Sequence, residues 1–300
     1  MVRSAPMPKA PPVSVLCRAD WRGLRDAHFS RASRHTGPAR ERRDRGIPHP
    51  IADFLFQYYS FPFSHLEHWH PGIGTALEWD GPAVAPYRKH YRSENATRFA
   101  DPGLLTEKER VRLQRILTLL EATRDRRPVF ACHGLHEWAM VYQAEDVRHG
   151  GTLPLRLPQN EIDRVVESLP IRCSHYDAFR FFTPAARPFN QFQPTLETRE
   201  LCEQPACLHA NMDLYKWCAK SQPWCGSDLL LDCFELAVEL RDLDMRASPY
   251  DLSGWNRPPV RIETPEGRRQ YESEQRGFAD RARPLRGKLI ARLSETLNAC

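Results

Sequence analysis

No stretch of eighteen apolar residues occurs in the 300-residue chain, which excludes a membrane-spanning helix as a reading of any segment. Residues Met1 to Pro12 are proline-rich where a signal peptide needs an apolar run, so the cytoplasm is the expected location, with no membrane partner. The nine cysteines contain no C-x-x-C pair. In a chain of this length without an export signal, that points to reduced thiols and away from a disulfide framework. Also missing are a glycine-rich phosphate loop, a dinucleotide fingerprint, a G-x-S-x-G elbow and a kinase signature, and with them go the corresponding enzyme classes. H-E-x-x-H does not occur, and Glu-x-x-His, which carboxylate-bridged metal bundles require, is absent from the acidic helix described below.

Positive charge is scarce where folding is expected. The net charge is +5, but residues 1 to 46 hold eleven Lys/Arg against four Asp/Glu, and residues 47 to 300 carry a balance of −2. Arg31, Arg34, Arg40, Arg42, Arg43 and Arg45 read as a disordered, solvated arm, with DNA phosphates as a partner that such an arm can touch. Removing residues 1 to 46 is then expected to leave the thermal transition unchanged. The dense apolar segment Ile51 to Tyr59 marks the start of a single domain over 47–300.

Helical periodicity dominates that domain. Thr106-Glu107-Lys108-Glu109 fits a capping box ahead of Leu113, Ile116, Leu117 and Leu120. Asn160 reads as the cap before Ile162, Val165, Val166 and Leu169, and Ser227 as the cap of a helix through Met245. Thr264-Pro265-Glu266 opens a helix toward Leu297, with a break or kink near Pro284. Only Leu153 to Leu157 and Ile171 to Phe182 have strand-like length and composition. The expected fold is mainly α, with at most a small β-sheet (α+β).

Four segments carry candidate chemistry. Cys207 to Trp217, placed on a helix, aligns His209, Asp213 and Lys216 at i, i+4 and i+7. A base, a carboxylate and an amine on one face suit an anionic or carbonyl-bearing substrate, while the plain alternative is a solvated face. Ser174 to Phe182 sets His175 and Asp177 on one side if extended and apart if helical. Asp232, Glu235, Glu239 and Asp242 form an acidic stripe that reads as a solvent face. Where that helix ends, Asp244, Arg246 and Asp251 are expected to form a hydrogen-bonded cluster. The expected catalytic set is thus Asp213, His209, His175 and Asp177. Lys216, Asn211, Arg246, Asp244, Tyr215 and Trp138 are the expected substrate contacts.

No cofactor is expected. If a metal such as Zn or Fe is bound, His175, His209, His133 and His136 are its candidate ligands, His133-x-x-His136 being a helical histidine spacing. The grouped cysteines Cys202, Cys207, Cys218, Cys225 and Cys233 read more simply as buried thiols. His70 to Leu77 imitates the hairpin of a helix-hairpin-helix element, but Glu78-Trp79-Asp80-Gly81-Pro82 leaves no room for its second helix.

The segments His49 to Phe56, Cys132 to Met140, Cys207 to Lys216 and Leu243 to Leu252 resemble a bacterial family commonly labelled 3-methyladenine DNA glycosylase, over roughly residues 47 to 295. The resemblance implies a base-excising hydrolase and attaches no catalytic set. Such an enzyme needs aromatics to hold an extruded base and a carboxylate near the glycosidic bond. Tyr58, Tyr59, Trp138, Tyr176, Tyr215 and Trp217 are available for the first, Asp213 or Asp177 for the second. Two alternatives stand beside it: a His/Asp enzyme, with or without a metal, acting on a small polar or anionic metabolite, and a noncatalytic binding module.

Overall fold

A computed structural model describes residues 14–79, 81, 90–144 and 153–300. Its described part is mainly helical with one small sheet, as the periodicity predicts. The helices are α1 (Arg18–Arg45), α2 (Phe54–Tyr58), α3 (Phe63–Glu67), α4 (Glu107–Asp125), α5 (Leu135–Ala139), α6 (Gln159–Ser168), α7 (Tyr176–Phe179), α8 (Arg199–Cys202), α9 (Leu208–Lys220), α10 (Ser227–Arg246) and α11 (Pro265–Asn298). No helix among the described residues is long and apolar enough to cross a membrane.

The largest correction concerns the arginine-rich arm. Residues 18 to 45 form a helix, not a disordered tail, and Trp21, His28, Ala32, Thr36 and Ala39 make a buried stripe along it. Two of these five are polar, so the stripe does not stand out by hydropathy. His28 Nε2 meets the Leu66 carbonyl at 2.8 Å, and the Thr36 hydroxyl donates to Glu67 at 2.5 Å. The arginines neutralise partners in the body: Arg31 binds Asp232 and Glu235, Arg40 binds Glu67, and Arg42 binds Asp53. Asp232 and Glu235 thereby leave the solvated stripe, and its other two acids are paired as well, Glu239 with Arg281 and Asp242 with Arg257. Gly46 ends α1 in the left-handed region, its N–H turned back on the Arg42 and Arg43 carbonyls.

The sheet lies where no strand is expected. β1 (Ser14–Leu16), β2 (Thr75–Glu78), β3 (Tyr91–Glu94) and β4 (Thr97–Ala100) take the order β1-β2-β4-β3. β1 runs parallel to β2, and the other neighbours are antiparallel. The β3–β4 turn holds Asn95 at φ 48° and Ala96 at φ 55°, the geometry usually signalled by Asn-Gly. As a strand, Thr75–Glu78 also disposes of the helix-hairpin-helix resemblance. Leu153 to Leu157 makes a single bridge, Leu155 to Tyr250, and Ile171 to Phe182 makes one bridge to Asn190 before turning into α7.

The capping box at Thr106 is present, and Thr264 caps α11 by accepting from the Gly267 N–H. α11 continues through Pro284 as one helix. The caps of the other two helices sit elsewhere. Pro158 precedes α6, with Asn160 in its first turn, and Gly226 precedes α10, where the Ser227 hydroxyl ties down the loop by accepting from His70 N–H and donating to the His68 carbonyl. All nine cysteines are free. α9, α10 and α11 pack together with α4 around the main core, and the polar residues of α9 and α10 that face α5, α7 and α8 make the site.

Candidate active site

α9 delivers the expected line of His209, Asp213 and Lys216 into the interior. α10 adds Arg241 and Asp244 at i and i+3, α5 adds His136 and Glu137, and His175 with Asp177 opens α7. Arg199 and Glu203, at i and i+4 around α8, complete a charged layer inside an otherwise apolar core.

One half centres on Asp244, which is fully buried. Its Oδ1 lies 2.7 Å from His136 Nε2, its Oδ2 accepts from Arg241 at 2.6 Å, and His209 Nε2 stands 3.9 Å away. Burial alone would raise Asp244, but His136, His209 and Arg241 hold it well below the usual carboxylate range. His136 is pushed the other way. Burial opposes its charge, yet Asp244 and the Cys132 thiol, 3.4 Å from Nδ1, hold it well above the ordinary imidazole value. The guanidinium of Arg241 also serves Glu137 at 3.0 Å. Burial, with Asp244 as a competing anion, raises Glu137 despite that contact.

The other half centres on Asp213. Lys216 and Arg199 both reach its Oδ2, the latter at 3.3 Å, as does His175 Nε2 at 3.3 Å, and the Tyr59 hydroxyl donates to Oδ1 at 2.8 Å. Burial would raise Asp213, but Lys216 first and then His175 hold it far below the carboxylate range. Lys216 also binds Asp177 at 3.1 Å and overrides the burial that would raise it, leaving Asp177 lowered. His209 joins the halves: its ring meets His136 edge-on at 4.6 Å and stacks on His175 at 5.4 Å. Burial pulls His209 down to about 3 in spite of Asp244, so it is neutral at ordinary pH.

Five carboxylates, Glu137, Asp177, Glu203, Asp213 and Asp244, share this layer with the guanidinium groups of Arg199 and Arg241, the Lys216 amine and the imidazole of His136, each acid within reach of a basic group. That pairing is what a buried layer requires.

A cleft of about 40 Å³ reaches this layer between Phe54, Tyr58, Met140, Phe181 and Tyr250. Its polar lining is Glu137, Asp177, His209 and Arg241. The space admits about one or two water molecules, so a planar ring enters only by moving the aromatic walls.

The other expected contacts lie outside. Asn211 points to Pro205 and Arg286, Tyr215 packs among Tyr59, Phe61 and Phe234, and the buried Trp138 donates to the Ala247 carbonyl. Arg246 faces outward to Glu274, and Asp251 caps the Ser253 N–H, so neither shares a cluster with Asp244. Glu137, Arg199, Glu203 and Arg241 are site residues that sequence reasoning missed. Arg241 was legible from its i, i+3 spacing to Asp244; Arg199 and Glu203 were legible as a pair but not as neighbours of Asp213.

Two donor sets lie close enough to share an ion, His136 with His209 and Asp244, and His175 with Glu203 and Asp213. His133, at φ 48° beside Tyr271, belongs to neither. Both sets already carry permanent cations on their carboxylates, Arg241 in the first and Lys216 with Arg199 in the second. The 2.7 Å approach of His136 to Asp244 also leaves no space between them. The donors therefore fit an ion only after rearrangement.

The histidines set a stability optimum near pH 6.5. His209, lowered to about 3, takes up a proton on unfolding, so its share of the stability falls as pH drops from about 6.5, by about 1.4 kcal/mol per unit, and the lowered His28, His49, His65, His70 and His133 act in the same direction. His136, raised when folded, holds a proton that the unfolded chain releases above about 6.5, so its contribution is lost as pH climbs toward its folded value. Urea titrations from pH 4.5 to 8.5 should show this maximum, and His209→Gln should make the acid limb shallower by about 1.4 kcal/mol per unit. An unchanged acid limb in that variant would refute the assignment.

Comparison with known protein families, curated proteins and solved structures finds no match.

Proposed function

We propose that the chain is a hydrolase that cleaves the bond between a sugar and a heteroaromatic base. The observation that carries this reading is the pair of carboxylates lining one cleft with shifts in opposite directions, Glu137 raised and Asp177 lowered. Such divergence marks an acid and an anion placed for one reaction. Glu137 gives its proton to the leaving base. Asp177 faces the positive charge that develops on the sugar and takes a proton from the attacking water, which His209 orients through its free lone pair. One water is consumed and the base and the hydroxylated sugar leave. Lys216 keeps Asp177 low while burial and Asp244 raise Glu137 against its contact with Arg241, and Asp213, held by four partners, positions Lys216 and His175 instead of reacting. Phe54, Tyr58, Phe181 and Tyr250 supply the faces that hold the base.

The base can come from a free nucleoside or from a nucleotide extruded from DNA. The pairing of Arg31, Arg40 and Arg42 with acids of the body, which occupies the groups that would meet DNA phosphates, favours the free nucleoside. Chromatographic detection of base release, with nucleosides and alkylated DNA tested separately, distinguishes the sources. Glu137→Gln and Asp177→Asn are each expected to lower the rate by about 10²- to 10⁴-fold. No base release from either substrate class would overturn the proposal. A second reading, a metal-assisted enzyme for a small anionic metabolite, is favoured by the two donor sets; tight, stoichiometric zinc or iron lost in Asp244→Asn would support it.

A further inference from the structure

The end of α1, the turn after it and the helices α2 and α3 enclose a second cavity of about 340 Å³, separate from the charged layer. Three phenylalanine rings, Phe56, Phe61 and Phe63, dominate its apolar wall. This volume falls in the range of small-molecule sites, roughly 300–1,000 Å³.

The charges of the wall do not cancel. It holds Arg42 and Arg43 against one acid, Asp53. Arg42 and Asp53 satisfy each other through Nη2 to Oδ1 at 2.5 Å and Nε to both oxygens at 3.1 Å. Arg43 is the surplus. Its guanidinium lies 4.7 Å from the Phe63 ring centre, its side chain is 65% exposed, and its acidic neighbour, Asp44 at 3.6 Å, is as exposed as it is. An exposed pair of that kind is worth little and yields readily to a better anion. Gln57 also lines the cavity, and its side-chain amide makes no hydrogen bond among the described residues. Ring faces, one unbalanced guanidinium and an open amide match a flat ring that bears a negative group.

α2 is the wall between this cavity and the catalytic cleft. Phe56 and Gln57 line one side, Phe54 and Tyr58 the other, and the adjoining Tyr59 holds Asp213. A helix this short has few bonds of its own, so its stiffness comes from what packs on its two sides.

We propose that the cavity is a binding site for a small planar aromatic anion and that its occupancy stiffens α2. The inference stands independently of the reaction proposed for the cleft. Its test is fluorescence titration of the whole chain with the aryl sulfonate 8-anilinonaphthalene-1-sulfonate and with its uncharged analogue N-phenyl-1-naphthylamine, followed by hydrogen exchange of the segment 54–59 with and without the sulfonate. The sulfonate should bind at one site per chain, and the uncharged analogue at least tenfold more weakly. Arg43→Glu, on an exposed side chain and so harmless to folding, should weaken the sulfonate at least tenfold. Ala39→Phe should block it by filling the cavity, and Arg164→Glu, on exposed α6, should change nothing. Exchange in 54–59 should slow when the sulfonate is bound. Binding that survives Arg43→Glu, that shows many equivalent sites, or that leaves exchange in 54–59 unchanged would overturn the proposal.

Discussion

Asp244→Ala is expected to lower the unfolding free energy by about 3–5 kcal/mol, the range for removing one partner of a buried ion pair. The carboxylate is fully buried and serves Arg241 at 2.6 Å and His136 at 2.7 Å. Its loss strands the guanidinium, whose Nε already has no partner among the described residues, with only Glu137 to answer it. His136 has an escape that Arg241 lacks, because it can release its proton. The penalty should therefore be larger at pH 6 than at pH 8, and urea unfolding at both values measures it. A loss below about 1 kcal/mol at pH 6 would mean that water reaches the layer and that the pairs behave like surface ones.

Deleting residues 1 to 46 is expected to cost most of the stability of the chain, typically about 5–15 kcal/mol for a folded protein, so the truncated protein should melt more than about 10 °C lower or without a cooperative transition. Trp21 stacks on Trp79 at 5.5 Å and donates to the Glu78 carbonyl at 3.0 Å, and losing one large core aromatic alone costs about 3–5 kcal/mol. The deletion also uncovers Leu66 and unpairs Glu67, Asp53 and Glu235 at once. Differential scanning calorimetry of the full and shortened chains decides the matter. An unchanged transition would show that α1 is detached in solution and that the solvated-arm reading holds.

These expectations differ from those that composition suggests because a charge run looks the same in sequence whether solvent or a carboxylate stripe receives it. Arg31 sits about two hundred residues from Asp232 and Glu235. Each alone reads as a solvated charge, and only the docking of α1 on α10 makes them partners. The same applies to Arg199 and Glu203, which become site residues because α8 is folded against α9.

By itself the sequence determined the helical class, the capping box at Thr106, the cap at Thr264, and the line of His209, Asp213 and Lys216, because helix periodicity and end chemistry act over three or four residues. Strands of three or four residues, two of them joined by an Asn-Ala turn, carry too little local signal to be seen, so the sheet was left to pairing between segments up to 61 residues apart. Tertiary structure alone decided which side chains of the helical line meet which charges. It set His136 and Arg241 on Asp244, brought His175 and Arg199 to Asp213, turned Arg246 and Asn211 away, and drew α1 out of solvent. Charges taken out of water must be matched in space, and sequence distance places no limit on where the match is found.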